Sequence, residues 1–140
     1  MVFVHQGVRM GGGFVIAIDG GLYRRAAVAL VALGGVRAVD DLVGGMVQVA
    51  DKAGRLFTLY ERVPEGTDWE VRDGDFTAAL GVQLPDMHRV MACPFECRWP
   101  DLVTLCADRI GRTAEVPTWI LDGDGVVWNA DNVDPNGITL

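Results

Sequence analysis

One histidine and three cysteines lie close together in the sequence and are of the types that bind metals or act as nucleophiles. His88, Cys93, Cys97 and Cys106 could bind zinc or supply a thiol–imidazole pair. The cysteine spacings, Cys-x3-Cys and Cys-x8-Cys, differ from the close pair typical of zinc sites. Unpaired cysteine is commonly a small core residue. We therefore predict core positions for the cysteines and keep a metal site or thiol chemistry as the weaker hypothesis.

An aspartate-rich stretch near the end of the sequence, DGDGVVWNADNVDPNG, contains the ligand types of a calcium loop. It supplies Asp122, Asp124, Asp131 and Asp134, and calcium prefers carboxylate oxygens. The EF-hand pattern requires a further ligand where Val126 stands and a glutamate at its twelfth position, and both are missing. We therefore predict a turn followed by a polar segment here. No metal ion and no cofactor is predicted for the chain.

The aspartate-rich stretch also matches an earlier one. Asp122 in ILDGDGVVW corresponds to Asp51 in VADKAGRLF, and Gly125 corresponds to Gly54. In both stretches an apolar run precedes the aspartate and another follows the glycine, which is the pattern of a hairpin with a short connection. We predict two equivalent hairpin turns, in which the aspartate side chain holds the turn and the glycine adopts the left-handed conformation.

Two helices are predicted to position these segments. The first covers LYRRAAVALVALGG, begins at Leu22 and is terminated by Gly34. The second covers PDLVTLCADRIG, begins at Pro100 and is ended by Gly111. Each follows a strand-like run: FVIAID reads as a buried strand, whereas RVMACPFECRW contains Pro94 and is therefore predicted to be an edge or bulged strand.

These elements predict one α+β domain over residues 14–140, with a mainly antiparallel sheet and two main helices on one face. The other face is expected to be solvated or covered by a partner. Residues 1–13, which end in three glycines, are predicted to form a loose lead-in. The order strand, helix, hairpin occurs twice, so a further hypothesis is a duplicated β-α-β-β unit spanning residues 14–62 and 89–130.

The charge of the chain restricts its partners. The formal net charge is −7 and the sequence pI is about 4.6. Nucleic-acid binding normally requires a basic face, and an anionic membrane surface would repel this chain, so neither partner is predicted. A basic protein would be attracted. Three cysteines are an odd number and form no disulfide framework, which favours a cytoplasmic location.

Acidic residues are concentrated in two segments, 61–75 and 113–140, and the second contains no basic residue. We interpret these segments as a docking surface, with a solvated face that serves only solubility as the alternative. The residues predicted to bind a partner are Glu65, Asp68, Trp69, Glu70, Asp73, Asp122, Asp124 and Asp131.

The leading functional hypothesis is a non-enzymatic acidic protein-binding domain, of the inhibitor or immunity type, that neutralises a basic partner such as a toxin. No catalytic residue is predicted, and the chain contains no serine that could act as a nucleophile. Two alternatives stay open. One is a small-molecule-binding or enzymatic domain with a cleft between the two β-α-β-β units. The other is a homo-oligomeric structural module.

Overall fold

The computed structural model describes residues 4–5, 8–9, 11–63 and 74–140. Two helices and an eight-stranded, mostly antiparallel sheet form the α+β fold that the sequence predicts. The helices are α1 (Leu22–Ala32) and α2 (Pro100–Thr113), and a short 3-10 helix covers Ala130–Asn132. The strands are β1 (Val4–His5), β2 (Val8–Arg9), β3 (Gly12–Ala17), β4 (Val36–Asp40), β5 (Gly44–Ala50), β6 (Leu56–Tyr60), β7 (Thr77–Ala78), β8 (Met91–Glu96), β9 (Trp119–Leu121) and β10 (Val126–Asn129).

The large sheet has the strand order β4-β5-β6-β8-β3-β9-β10-β7, and β1 and β2 form a separate two-stranded sheet. All neighbours in the large sheet are antiparallel except β7 and β10, which are parallel. β3 begins at Gly12, two residues earlier than the predicted strand, so the last two of the three glycines lie inside the sheet. Within the described residues, no helix is long and apolar enough to cross a bilayer.

The prediction that Pro94 places its strand at an edge is wrong, because β8 lies between β6 and β3. The N–H of Cys97 donates to the carbonyl of Gly11 on the β3 side, so alternation directs the backbone nitrogen of Pro94 toward β6. The ladder between β6 and β8 stops at the pair Leu59–Phe95, one residue before Pro94. Pro94 has no N–H to donate to β6, and none is required there because β6 no longer pairs with β8 at this position.

The helices cover one face of the sheet, as predicted. Their core joins the inward-facing residues of α1 and α2 to those of the central strands, and it includes Phe57 stacked on Phe95 with ring centroids 5.1 Å apart.

α1 ends shortly before Gly34, which has φ of +90° and so terminates the helix as predicted. α2 does not end at Gly111 but continues to Thr113.

The reason for a glycine inside α2 is the close approach of the 3-10 helix. A Cβ atom at Gly111 would lie 2.8 Å from the backbone nitrogen of Asp131 and 3.1 Å from the Cβ of Ala130. Glycine is unfavourable in a helix interior, but here it permits contact between two backbones. A glycine that ends a helix and a glycine that permits a close backbone contact look the same in the sequence, so Gly111 was predicted to end the helix.

The other face of the sheet, which was expected to be solvated or covered by a partner, is partly covered by the chain itself. A second apolar cluster joins Phe14, Ile16, Leu121 and Val127 to Met87, Val90 and neighbouring side chains. The chain segment 76–90, which begins with β7, thus covers the half of this face that belongs to β3, β9 and β10. The remaining half, over β5, β6 and β8, carries an open groove.

The two predicted hairpin turns have the same hydrogen bonds. In each, one carboxylate oxygen of the aspartate, Asp51 or Asp122, accepts the N–H groups of the residues two and four positions later. Gly54 and Gly125 have φ of +78° and +80°, the left-handed conformation that the prediction required. The equivalence of the turns is therefore confirmed.

The duplication itself is not established by the sheet topology. In the second predicted unit, β9, the first strand of the hairpin, joins the centre of the sheet by pairing with β3. In the first unit, β6, the second strand of its hairpin, pairs with β8. The first unit also contains β4 as an additional strand between helix and hairpin. The two units therefore share a turn and an order of elements but insert their hairpins in opposite senses.

Candidate functional site

The three cysteines lie in the helix-side core, as the core interpretation predicts. Cys93, Cys97 and Cys106 are free and buried, whereas His88 lies exposed in the segment before β8. The thiol of Cys93 contacts the carbonyl of Glu61, and the thiol of Cys97 contacts the carbonyl of Trp99. Among the described residues, no three His, Cys, Asp or Glu side chains converge as a metal-ligand set.

Burial raises the pKa of all three thiols. The pKa is about 12 for Cys93, where the charge of Glu61 adds to burial, about 11 for Cys97, and about 12 for Cys106. Since the thiolate is the reactive form, we expect each native thiol at pH 7 to react with iodoacetamide on the order of 100-fold more slowly than free cysteine. Mass spectrometry of peptides from protein alkylated under native conditions measures this rate.

The control for the alkylation experiment is the same protein in denaturant, where all three thiols are expected to react at the rate of free cysteine. A single cysteine that reacts as fast in the native protein as in the denatured one would contradict the expectation. It would also restore the hypothesis of thiol chemistry at that cysteine.

Asp122 organises the second hairpin turn and is only 5% exposed. Its Oδ1 accepts the N–H groups of Asp124 and Val126, at 2.9 and 3.0 Å. Its Oδ2 accepts the indole N–H of Trp128 at 3.0 Å and the backbone N–H of Thr139 at 3.2 Å. Both oxygens thus bind donors of the chain itself, which explains why a buried carboxylate is tolerated here.

The other predicted partner-binding residues separate into two groups. Asp124 and Asp131 are exposed, and Asp124 accepts a hydrogen bond from the hydroxyl of Thr139. The remaining residues, Glu65, Asp68, Trp69, Glu70 and Asp73, lie outside the described residues. Their role in binding stays a prediction.

The end of the first acidic segment meets the second acidic segment in space. The N–H of Thr77 donates to the carbonyl of Gly125 at 3.0 Å. A Cβ atom on Gly125 would lie 2.7 Å from the carbonyl oxygen of Asp75. Asp75 is exposed, as are Asp124 and Asp134. The pairing of β7 with β10 therefore brings acidic residues from both segments to one edge of the sheet, and we call Asp75 and Asp124 the acidic edge.

A second candidate site is the groove on the face opposite the helices, which has a volume of about 520 Å³. Its floor contains two polar pairs: the hydroxyl of Tyr60 donates to Glu96 at 2.7 Å, and the amide of Gln48 donates to Thr58 at 3.0 Å. Burial and the adjacent Glu96 raise the pKa of Tyr60, so the phenol stays protonated at neutral pH. The groove can thus offer hydrogen-bonding groups beside the indole of Trp99.

One wall of the groove is fixed by Arg55. Its guanidinium donates to Asp51 at 2.6 Å and to both oxygens of Asp101, at 3.1 and 2.7 Å. It also lies over the ring of Trp99, 5.2 Å from the centroid, where a cation–π contact is favourable. This network joins the first hairpin turn to the beginning of α2.

The groove was not predicted from the sequence. Part of the signal was present, because Leu56, Thr58 and Tyr60 alternate with the two apolar core residues of β6, Phe57 and Leu59, and so share the opposite face. The pairing of Thr58 with Glu96 across β6 and β8 supplies the rest. That pairing joins strands far apart in the sequence and cannot be read from local periodicity.

The Arg55 network makes a prediction about acid titration. Hydrogen bonds from Arg55 hold the pKa of Asp101 below its usual value. The native pKa is thus below the unfolded one, so this pair stabilises the fold above the unfolded pKa and loses its contribution as pH falls through the native pKa. We expect Arg55→Gln to raise the Asp101 pKa toward its usual value, measured by NMR titration of the carboxyl carbon.

The matched control for this titration is Arg109→Gln on the same helix, which should leave the Asp101 titration unchanged. An Asp101 pKa that is the same with and without Arg55 would show that the ion pair does not persist in solution, as is the case for many exposed pairs.

Comparison of the chain with protein-family models, with curated proteins and with solved structures finds no match.

Proposed function

We propose that this chain is a non-enzymatic binding protein that neutralises a basic protein partner, in the manner of an inhibitor or immunity protein. The observation that supports the proposal best is the acidic edge, where the pairing of β7 with β10 joins carboxylates from two separate acidic segments. Asp75 comes from one segment and Asp124 from the other. A cytoplasmic location belongs to the same proposal, and three free thiols fit a reducing compartment.

Electrostatics determine how such a surface would act. Residues 113–140 contain no basic residue, so the field near the acidic edge is not cancelled from within that segment. A negative edge steers a basic partner toward it and raises the association rate, and this effect falls with salt. Affinity itself would come from a desolvated centre beside the charges.

The experiment begins with capture from lysate of the source organism at low salt, identification by mass spectrometry, and purification of the captured protein. The association rate of the purified pair is then measured by stopped flow at increasing salt. The proposal expects a basic partner, a rate that falls at least 10-fold between low and moderate salt, and a further loss in the double variant Asp75→Lys, Asp124→Lys.

The matched control reverses two carboxylates away from the acidic edge, Asp108 on α2 and Glu115, which follows α2. This variant has the same net charge as the edge variant but leaves the edge intact. Equal losses in the two variants would show that only net charge matters. An association rate independent of salt, or an unchanged rate in the edge variant, would refute the proposal.

The groove supports a second candidate, a small-molecule site between the two predicted units. The groove lies where β5 and β6 of the first unit meet β8 of the second, and it combines the Tyr60–Glu96 pair with the indole of Trp99. A thermal-shift screen with small metabolites tests this candidate. A ligand that raises the Tm of the wild type but not of Tyr60→Phe would favour it over protein binding.

A further inference from the structure

Two opposite charges in the groove are not used by the fold. Glu96 and Arg98 both line the groove, and within the described part of the chain neither of them forms an ion pair. The other guanidinium of the groove, that of Arg55, is already bound to Asp51 and Asp101. Arg98 is therefore the cation that a ligand in the groove would meet, and Glu96 is the anion.

Glu96 has an oxygen that the chain leaves open. The residue is half-buried, and its Oε1 accepts the hydroxyl of Tyr60, whereas its Oε2 accepts no hydrogen bond from the residues that the structure describes. Gln48 lies in the same cross-strand row, on the other side of Thr58. The amide nitrogen of Gln48 donates to Thr58, so its oxygen is a second open acceptor. Open acceptors on either side of Thr58 suit an ammonium group, which has three N–H donors.

The opposite end of the groove combines a guanidinium with apolar surface. Arg98 lines the groove two residues after Glu96, and the antiparallel register of β6 with β8 places Leu56 beside it. Leu56 and Trp99 are 43% and 38% exposed. A ligand carboxylate can form two parallel hydrogen bonds with a guanidinium, and the two open side chains can bury an adjacent apolar group.

We propose that the groove binds a free α-amino acid with an apolar side chain. Glu96 and Gln48 receive the ammonium group, Arg98 receives the carboxylate, and the ligand side chain lies against Leu56 and Trp99. Two residues of a strand span about 6.6 Å, so Glu96 and Arg98 are matched by a ligand whose own charges lie close together, as they do when both are attached to one carbon. The inference rests on the second candidate function, in which the groove is a small-molecule site, and names the ligand class.

Ligands with a single charge fit the groove less well. An amine without a carboxylate would lie close to the positive charge of Arg98, and a carboxylic acid without an ammonium group would lie close to the negative charge of Glu96. Such like charges disfavour the wrong ligand. The volume of about 520 Å³ lies within the range of small-molecule pockets, about 300–1,000 Å³, so a whole amino acid can enter.

The test is an NMR titration of the full chain with L-leucine and L-phenylalanine up to about 10 mM, with the indole N–H signal of Trp99 as the reporter. We expect saturable shifts with a Kd of about 1 mM or tighter. N-acetyl-L-leucine lacks the ammonium charge and L-leucinamide lacks the carboxylate, so each should bind at least 10-fold more weakly than L-leucine. No shift with either amino acid, or equal binding of L-leucine and its two derivatives, would overturn the proposal.

Two variants separate the roles of the charges from a general loss of the groove. Glu96→Gln keeps an acceptor for Tyr60 but removes the charge, so it should weaken L-leucine at least 10-fold without weakening N-acetyl-L-leucine. Arg98→Gln should weaken L-leucine at least 10-fold without weakening L-leucinamide. A variant that binds L-leucine like the wild type, or that loses a derivative as strongly as L-leucine, would contradict the assigned roles.

The matched controls are Glu115→Gln and Arg109→Gln, which remove the same charges outside the groove and should bind L-leucine like the wild type. The outcome for the groove as a small-molecule site is separate. Another metabolite that raises the Tm of the wild type but not of Tyr60→Phe, together with no binding of amino acids, would overturn this inference and leave that candidate function in place. No ligand of any kind would remove both.

Discussion

Replacing Asp122 with alanine is expected to lower the free energy of unfolding by about 3 kcal/mol, a large part of the stability of a single domain. The substitution removes the acceptor of four N–H groups: three backbone amides and the indole of Trp128. A buried donor left without an acceptor costs about 1–3 kcal/mol, and hydrogen bonds to a carboxylate are stronger than neutral ones. Denaturant unfolding followed by Trp fluorescence measures the change.

The matched control is Asp51→Ala in the equivalent turn. Asp51 accepts the same two backbone N–H groups, but its side chain is 20% exposed and its second oxygen binds Arg55 at the surface. Water can replace those contacts, so we expect a smaller loss than in Asp122→Ala. If Asp122→Ala costs no more than Asp51→Ala, the buried network around Asp122 does not stabilise the fold as described.

The contrast between these aspartates shows what the sequence could and could not predict. Both turns were predictable, because an aspartate followed three residues later by glycine between apolar runs is a local pattern with a local cause. The difference in burial was not predictable. Asp122 is buried because Trp128 and Thr139 close over it, and Thr139 comes from the end of the sequence.

For the candidate sites as well, local properties were predictable from the sequence and long-range contacts were not. The sequence indicated which segments are acidic, since charge is a property of composition. It did not indicate that Asp75 lies beside the Asp122 turn, because the parallel pairing of β7 with β10 joins residues far apart in the chain, Thr77 with Val126 and Ala78 with Val127. The groove was missed for the same reason, since its floor requires the register of β6 against β8.

The structural roles of proline and glycine were the hardest to predict from the sequence. Pro94 predicts an edge strand, yet its strand is central and its missing N–H falls beyond the end of the β6 ladder. Gly111 predicts a helix end, yet it admits the 3-10 helix. In each case the residue type fits a tertiary neighbour, and a single sequence does not show that neighbour.

Gly13 is the strongest example, and Gly13→Ala is expected to lower the free energy of unfolding by about 3 kcal/mol. In sequence it belongs to three glycines that read as a loose lead-in. In the structure it is buried in β3, where an added Cβ would lie 2.4 Å from the carbonyl oxygen of Leu121 and 3.1 Å from the ring of Phe95.

Neither neighbour of Gly13 can easily move. The carbonyl of Leu121 belongs to β9, which pairs with β3 from Phe14–Leu121 onward, and the ring of Phe95 is fully buried and stacked on Phe57. A methyl group must therefore push apart two central strands or displace a core aromatic ring, and closely packed interiors resist both. Denaturant unfolding measures the loss.

Gly20→Ala is the matched control for Gly13→Ala, because Gly20 has nothing within 4 Å of an added Cβ. Its substitution should change the free energy of unfolding by less than about 0.5 kcal/mol. Equal stabilities of the two variants would mean that β3 and β9 tolerate a wider separation than the structure has. A selective loss in Gly13→Ala would show that the absence of a side chain at this position is what allows the central strands to close.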